Sequence, residues 1–474
     1  MPTGRSLPRL MIAGLTGGSG KTLVAMAVLR AARLSGVPVC AFKKGPDYID
    51  SAWLTWASGR QARNLDSYLM GFERVAASFC AHGLLDGLNL IEANRGVFDG
   101  MDSAGTHSSA ALAKTLQAPV ILVLNVTKVT RTAAAFVLGA RALDPELNLA
   151  GVILNYVNGR RHERVVRESI EMACSVPVLG VVPKLDLSEL VPERHLGLVT
   201  PQEYPALAAL ERKLSGEVAA NIDLDALLRI ARAAPRLIAP PLPPLEPADG
   251  SGLKIGYLQD SAFNFYYPEN LEAIERAGAE LVPISALIAP DLPAGLHALY
   301  IGGGFPETQA AALAANDSLL RSLRQAAQDG LPIYAECGGL MLLARAIVWR
   351  GRTYSMANVF PFEAQVLATA QGHGYVELVV DRANPFFPAG LALRGHEFHY
   401  SRIALESDPP DTVCAVQRGT GAVNGRDGIV SGNVFASYTH LHALATPEWA
   451  AGLLAAARRF ALAPTGQKAA HGSR

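Results

Sequence analysis

The sequence predicts an α/β protein of two domains in series, the first a doubly wound parallel sheet with a phosphate-binding loop. Three observations carry this. Short apolar runs alternate with helical stretches through the N-terminal half, the rhythm of strand–helix–strand units. A glycine-rich turn, "AGLTGGSGKT" (13–22), follows the first apolar run directly. Residues 234–252, "APRLIAPPLPPLEPADGSG", carry six prolines and two glycines, after which the alternation starts afresh.

In order along the first half, "RLMIAG", "VPVCAFK", "GLNLIEAN", "APVILVLNV" and "LAGVILNYV" are rich in Val, Ile and Leu and short enough for buried parallel strands. "VPVLGVVP" (176–183) reads as one more strand near the sheet's edge. Residues 22–34 and 105–117 have the apolar spacing of helices. The proline-rich stretch cannot hold a helix or central strand and reads as a stiff spacer. Beyond it come "LKIGYL", a helix over 268–277, "AELVPI", "ALYIGGG", a helix over 307–329, "LPIYAE" and a helix over 339–346. "GIVSGNVFASYTHLH" and a helix near 447–462 close this second α/β domain. The domains are thus 1–233 and 253–463, joined by 234–252, with 464–474 a flexible tail.

Bulk composition bounds the function. The 474 residues suit about two to four domains. Half are hydrophobic and 18% charged, as in compact globular chains. Lys plus Arg and Asp plus Glu both number 42, which argues against nucleic acid or an anionic membrane as partner. Five scattered cysteines (40, 80, 174, 337, 414) with no CxxC pair argue against a disulfide framework or structural zinc. The first strand leaves no room for a signal peptide, and no apolar run reaches the length of a membrane span, so a cytoplasmic protein is expected.

The turn at 13–22 departs from the common spacing G-x-x-x-x-G-K-[ST], which needs glycine where this chain has Leu15. Counted from Gly14 the loop is one residue longer. Its backbone amides, including those of Gly17, Gly18, Ser19 and Gly20, can wrap phosphate oxygens at a helix N-terminus. Lys21 would reach the β/γ-phosphates of a nucleoside triphosphate, and the Thr22 hydroxyl would ligate Mg²⁺. "FKKGPDYID" (42–50) places Lys43, Lys44, Asp47 and Asp50 in one loop at a strand's carboxyl end, where such sheets bind ligands. "IEANRGVFDG" (91–100) leads with Glu92, positioned like the acidic metal partner of a phosphate loop.

In the second domain, "LPIYAECGGLML" (331–342) is a strand, a sharp turn at Cys337 and a helix, the nucleophile-elbow arrangement. A helix N-terminus there is expected to lower the thiol's pKa. "YIGGGFPE" (300–307) and the glycine after the cysteine offer N–H groups to an oxyanion, at Gly303, Gly304 and Gly338. "SYTHLH" (437–442) supplies His440 as base. "RGHEFHYS" (394–401) does not match the H-E-x-x-H zinc spacing.

The long loop, "KxGPDYID" and "E-x-x-x-G-x-F-D-G" together resemble the cobyrinic acid a,c-diamide synthase family, whose ATP-binding half resembles dethiobiotin synthetase. The likeness extends over nearly the whole chain, the second domain resembling a class I glutamine amidotransferase. It implies ATP and Mg²⁺ as cofactors, Asp47 beside Glu92 as an Mg²⁺ and phosphate-site acid, and Asn155 of "GVILNYV" as the reader of adenine. It implies Cys337 as the attacker of glutamine and His440 as its proton shuttle. The usual His-Pro-Glu is absent, since His442 stands two after His440, and its role stays open. The "GHEFHYS" segment reads as architecture or substrate contact. The implied substrates are L-glutamine and a tetrapyrrole polycarboxylate, amidated through an acyl phosphate on the a and c acetates of cobyrinic or hydrogenobyrinic acid. Sirohaem and Ni-sirohydrochlorin are the alternatives, since "EANRGVFDG" and "KVTRTAAA" (128–135) look more like those relatives, and Arg95 could pair with an extra carboxylate. A homodimer is expected. Two rivals remain, an amidoligase for a small acid and a partition- or switch-type ATPase. The latter's loop has a signature lysine where this chain has Thr16, and it leaves Cys337 and His440 unexplained.

Overall fold

The computed structural model describes residues 4–185, 193–194, 197–198, 201, 204, 206–242, 248–405 and 408–463. The chain divides into two compact units, Met1–Pro243 and Pro244–Arg474.

The first unit is a seven-stranded parallel sheet: β1 (Arg9–Gly14), β2 (Val39–Lys44), β3 (Arg63–Leu65), β4 (Leu88–Glu92), β5 (Val120–Asn125), β6 (Leu149–Val157) and β7 (Val178–Pro183). Their order is β3-β2-β4-β1-β5-β6-β7. β1, β2 and β4 are buried along their whole length, which is why they read as unbroken apolar runs. Connections are helical: α1 (Lys21–Leu34), α2 (Tyr48–Ser58), α3 (Ser67–Met70), α4 (Phe72–His82), α5 (Ser109–Thr115), α6 (Thr132–Leu143) and α7 (Arg160–Cys174). A short strand pair, β8 (Glu193–Arg194) and β9 (Gly197–Leu198), precedes α8 (Leu207–Lys213) and α9 (Leu224–Arg232). β1 sits between β4 and β5, so strand order reverses at its carboxyl end, where open α/β sheets form a crevice.

Two expectations for this unit change. The helix over 105–117 is only Ser109–Thr115, because Gly105 and His107 take left-handed φ of 70° and 57°, and the Ser108 hydroxyl caps Ala111 N at 3.2 Å. The start of the proline-rich stretch is not a free spacer. Arg9, buried in β1, donates to Pro235 O at 2.8 Å, and Leu237 N donates to Arg5 O at 2.9 Å.

The second unit has a ten-stranded mixed sheet in the order β11-β10-β12-β13-β22-β21-β20-β17-β18-β23. β10 (Lys254–Leu258), β11 (Glu280–Ile284), β12 (Ala298–Ile301) and β13 (Ile333–Glu336) form its parallel half with β22 (Val434–Ser437). β17 (Gly372–Val380), β18 (Ala392–His399), β20 (Thr412–Arg418), β21 (Arg426–Ser431) and β23 (His440–Leu441) run antiparallel to their neighbours. A four-stranded sheet holds β14 (Ala346–Trp349), β15 (Arg352–Ser355), β16 (Glu363–Val366) and β19 (Ser401–Ala404). The helices are α10 (Pro268–Arg276), α11 (Ala310–Ala315), α12 (Asp317–Gln328), α13 (Gly338–Leu343) and α14 (Glu448–Leu462).

Alternation along the strands divides the core. Ile301, Ile333 and Ala335 pack on one face with α13, while Tyr300, Tyr334 and Phe435 pack on the other against Trp449 of α14. The expected helix over 307–329 is a 3₁₀ turn (Pro306–Gln309) followed by α11 and α12. Asn316 breaks it, its ψ of 56° leaving the helical region while its amide donates to Ala286 O and Ala289 O at 2.9 and 2.8 Å. The helix expected over 339–346 is Gly338–Leu343, and the expected tail, 464–474, lies outside the described residues. Among the described residues no helix is long and apolar enough to cross a membrane.

Candidate active site

The loop after β1 closes on itself. A Cβ on Gly14 would overlap the Ser19 hydroxyl, and one on Gly20 would overlap the Asn155 amide, so both positions need glycine. Gly18 and Gly20 also take left-handed φ of 68° and 91°. Gly17 and Gly18 face open space, with nothing within 4 Å of an added Cβ. α1 starts at Lys21 without a side-chain cap, which leaves its first-turn N–H groups for an anion. Lys21 Nζ donates to Thr16 O at 3.0 Å; burial, then the charge of Lys43, pushes its pKa down.

Acids of the neighbouring strands converge on Thr22. The Thr22 hydroxyl donates to Glu92 Oε1 at 2.5 Å, and Glu92, 0% exposed, keeps its other oxygen buried without a hydrogen-bond partner. Lys43 lies between Asp50 Oδ2 at 2.5 Å and Glu92 Oε1 at 3.1 Å. Burial alone would favour neutral Lys43, but Asp50 and Glu92 outweigh it and hold the ammonium charged. Lys43 is therefore committed to the acids rather than extended toward a ligand. Asp47 caps α2 by accepting from Asp50 N at 2.9 Å; burial, then the charge of Asp50, raises its pKa. Glu92 is raised by burial and partly restored by Lys43.

A Mg²⁺ ion fits this donor set. An orphaned carboxylate oxygen on Glu92 lies beside a hydroxyl that the same residue already engages. Among the described residues no three His, Cys, Asp or Glu side chains form a metal cluster by themselves. The remaining ligands would be phosphate and water, which is how Mg²⁺ is usually held.

The loop 92–99 is packed against the glycine loop. Val97 N donates to Gly14 O at 2.7 Å, and a Cβ on Gly96 would come within 2.5 Å of Leu15 O. Arg95 has a left-handed φ of 47°, and Lys44 is buried with the charges of Asp66 and Arg95 acting on it. Asn155, at the end of β6, donates to Ser19 O at 2.9 Å and accepts from Tyr156 N at 2.9 Å. That leaves one amide N–H and one oxygen lone pair beyond the loop contact.

In the second unit Cys337 occupies the predicted elbow. Its φ, ψ of 47°, −97° turn the chain sharply between β13 and α13. Its N–H donates to Ser437 O at 2.7 Å, tying the turn to the segment that leads to His440. A Cβ on Gly338 would lie 3.1 Å from Gly304 N and 3.4 Å from Gly303 C, and one on Gly303 would lie 2.5 Å from His440 Cε1. The glycine run is thus packed against Gly338 of the elbow on one side and against the His440 ring on the other. One expectation fails: the thiol is not acidified. Burial raises its pKa, with the Glu307 carboxylate adding to the effect, and the Gly338 N–H at the start of α13 does not offset them.

The third member of the constellation is Glu336, which the sequence reading missed. It is 0% exposed and lies on the Tyr334 face of β13, where its Oε2 is 3.3 Å from His440 Nδ1 and accepts from Tyr300 OH at 3.2 Å. Its Oε1 accepts from Leu441 N at 3.2 Å. The acid that holds the imidazole therefore precedes the nucleophile instead of following the histidine. Asp427, buried behind, accepts from the Ser437 and Thr439 hydroxyls and from Thr439 N, and so shapes the approach to His440.

His442 and the "GHEFHYS" strand are supporting parts. His442 Nδ1 accepts from Leu444 N at 3.1 Å, its Nε2 faces Glu269 at 3.5 Å, and its ring packs on Tyr267. His396 pairs with His440 across β18 and β23 and stacks on it at 5.0 Å. Burial, then the charges of His440 and His442, keeps it neutral. Glu397 accepts from Thr420 N and Gly421 N at 2.6 and 3.0 Å.

The chain matches two family models, a CobQ/CobB/MinD/ParA nucleotide binding domain over residues 10–199 and a CobB/CobQ-like glutamine amidotransferase domain over 254–448. It is 40% identical to the cobyrinate a,c-diamide synthase of Magnetococcus marinus, over 94% of this chain and 96% of that one. The Methanothermobacter thermautotrophicus protein of the same name is 40% identical over 95% of this chain and 100% of its own. That of Listeria innocua is 37% identical over 93% and 97%. On these matches the chain belongs to the cobyrinate a,c-diamide synthase family of glutamine-hydrolysing carbon–nitrogen ligases.

Proposed function

We propose that this protein amidates the a and c acetate carboxylates of cobyrinic or hydrogenobyrinic acid, with glutamine as nitrogen source and ATP as activator. The observation that carries the reading is one chain, aligned end to end with synthases of that name, holding both a nucleotide loop and a Cys337–His440–Glu336 constellation. We assign ATP chemistry to 1–233 and glutaminase chemistry to 253–463.

At the glutaminase site Cys337 gives its proton to His440 as the sulfur attacks the glutamine amide carbon. N–H groups of Gly303, Gly304 and Gly338 hold the oxyanion, and Glu336 stabilises the imidazolium. His440 returns the proton to the departing nitrogen, ammonia leaves, and water hydrolyses the thioester to glutamate. The protonated resting thiol suits this sequence, because proton and sulfur move in one event.

A carboxylate resists ammonia, so it is first converted to an acyl phosphate. Lys21 and the amides from Gly17 to Thr22 stabilise the charge moving with the γ-phosphoryl group. Mg²⁺, held by Thr22, Glu92 and Asp47, would neutralise charge on the phosphates. Lys43 keeps the acids in place, and the remaining N–H and lone pair of Asn155 suit adenine. Ammonia then displaces phosphate and forms the amide.

The test is incubation with ATP, Mg²⁺ and glutamine against cobyrinate, hydrogenobyrinate, Ni-sirohydrochlorin and sirohaem, read by product mass. Two amides on one of the first two rings is the expected result. Products only from the last two would move the substrate to the alternative rings, and failure with all four would overturn the substrate class.

A further inference from the structure

The carboxyl edge of β5 and β6 carries charge that the phosphate loop does not use. The two strands are in register at Asn125 and Asn155, and the segments after them are stitched together. Val126 N donates to Asn155 O at 3.0 Å. His162 accepts from Asn158 N through Nδ1 at 2.9 Å, so its Nε2 carries the proton and donates to Val129 O at 2.6 Å. The same edge adjoins the glycine loop, since β5 pairs with β1 and Asn155 donates to Ser19 O.

Four exposed cations stand around this stitched edge: Lys128, Arg131, Arg160 and Arg161. Among the described residues none of them has an ion-pair or side-chain hydrogen-bond partner. Neighbouring arginines behave differently, Arg167 pairing with Glu163 and Arg141 donating to Cys174 O. No Asp or Glu occurs in 126–131 or 158–162, and the acid that follows, Glu163 in the first turn of α7, pairs with Arg167. α6 and α7, twelve and fifteen residues long, begin here without side-chain caps, which adds the positive ends of two helices. In a chain whose charges balance at 42 each, this is a local excess of one sign, and such a surface attracts a multivalent anion. The phosphates already have Lys21 and the loop amides.

We propose that Lys128, Arg131, Arg160 and Arg161 hold the carboxylates of the substrate that are not being amidated, reading a macrocyclic polycarboxylate as a multivalent anion laid against the segments 126–131 and 158–162, beyond Asn155 and the adenine assigned to it. The proposal rests on the amidoligase reading above. It makes these four residues positioning groups, outside the phosphoryl-transfer chemistry. Arg131, Arg160 and Arg161 can grip carboxylates bidentately, which fixes ring orientation as well as affinity.

The experiment uses the full chain and cobyrinic acid as probe, with binding followed by equilibrium dialysis on its visible absorbance, without ATP and without turnover. The variants are Arg160→Ala with Arg161→Ala, and Lys128→Ala with Arg131→Ala. Each pair of changes should weaken binding about tenfold at low salt. The salt dependence should flatten, and affinity for ATP should stay within twofold of wild type. The fully methyl-esterified ring should bind wild type and variants alike. Unchanged affinity for the acid in both variants would overturn the proposal alone. A loss of ATP affinity in its place would make the cations part of the nucleotide site and also overturn it. A wild-type chain that binds no tetrapyrrole acid would overturn the proposal together with the reading beneath it.

Discussion

Replacing Glu336 by glutamine tests whether the acid before the nucleophile does the work that a downstream glutamate does elsewhere. The side chain keeps its size, so packing against Tyr300 and Tyr334 is preserved, but the charge under His440 is lost. In the structure Glu336 accepts from Tyr300 OH and Leu441 N and faces His440 Nδ1 at 3.3 Å. An amide has one oxygen for these three groups, so its NH₂ must face a donor. An unmade buried hydrogen bond costs about 1–3 kcal/mol, and a hydrogen bond to a charged group contributes about 1.5–3 kcal/mol. Losing the stabilised imidazolium, with the imidazole free to take the wrong tautomer, should lower kcat/KM for glutamine by about 10²- to 10⁴-fold. The assay is glutamate release from glutamine, run beside amidation driven by ammonium chloride at mildly alkaline pH. The first should collapse while the second stays near wild type. Glutamate release within threefold of wild type would refute the role given to Glu336.

Two further predictions follow from the geometry. Gly303→Ala places a methyl 2.5 Å from His440 Cε1, so the ring must move by close to an ångström, and glutaminase activity should fall by about 10²-fold with ammonia-driven amidation intact. Unchanged glutamate release would show that the ring has room. Asp47 carries a pH signature in the nucleotide-free protein: burial, then Asp50, pushes its carboxyl pKa up to about 7. Its contribution to stability is fully present below the ordinary carboxylate range and lost as pH rises through about 7, so thermal stability should decline across that window. Asp47→Asn should flatten the decline, measured as Tm against pH, and an unaltered slope would contradict the assignment.

Much of this site is legible in local sequence, and the remainder depends on pairing between distant segments. The glycine loop, the elbow at Cys337 and the edge position of 178–183 follow from spacing, because each is set within a dozen residues. Glu336 is different. It sits at the end of "LPIYAE", where a strand-terminal acid looks like a solvated rim residue. Only the β13–β22 register, Glu336 opposite Ser437, brings it beneath His440. Lys43 and Lys44 are adjacent and read alike, yet alternation along β2 sends one between Asp50 and Glu92 and leaves the other with Asp66. The break at Asn316 was hidden because its partners, Ala286 and Ala289, lie some 30 positions away. The antiparallel strands β17, β18, β20 and β21 are hard to read for another reason: they are bounded by turn residues such as 382–390 and 419–425, but their half-buried, irregular alternation is a weaker signal than the buried parallel runs. The elbow's thiol was misjudged because local sequence shows the helix N-terminus but not the depth of burial.

In the proposed reaction one chain runs two chemistries, glutamine hydrolysis at Cys337 and carboxylate activation at Lys21. Cys337→Ser measures this most directly, with product mass recorded once with glutamine and once with ammonium chloride as nitrogen source, each with ATP, Mg²⁺ and cobyrinate. The expected result is no amide from glutamine and diamide from ammonia at close to the wild-type rate. Loss of product with both nitrogen sources, or retention of product with glutamine, would contradict it.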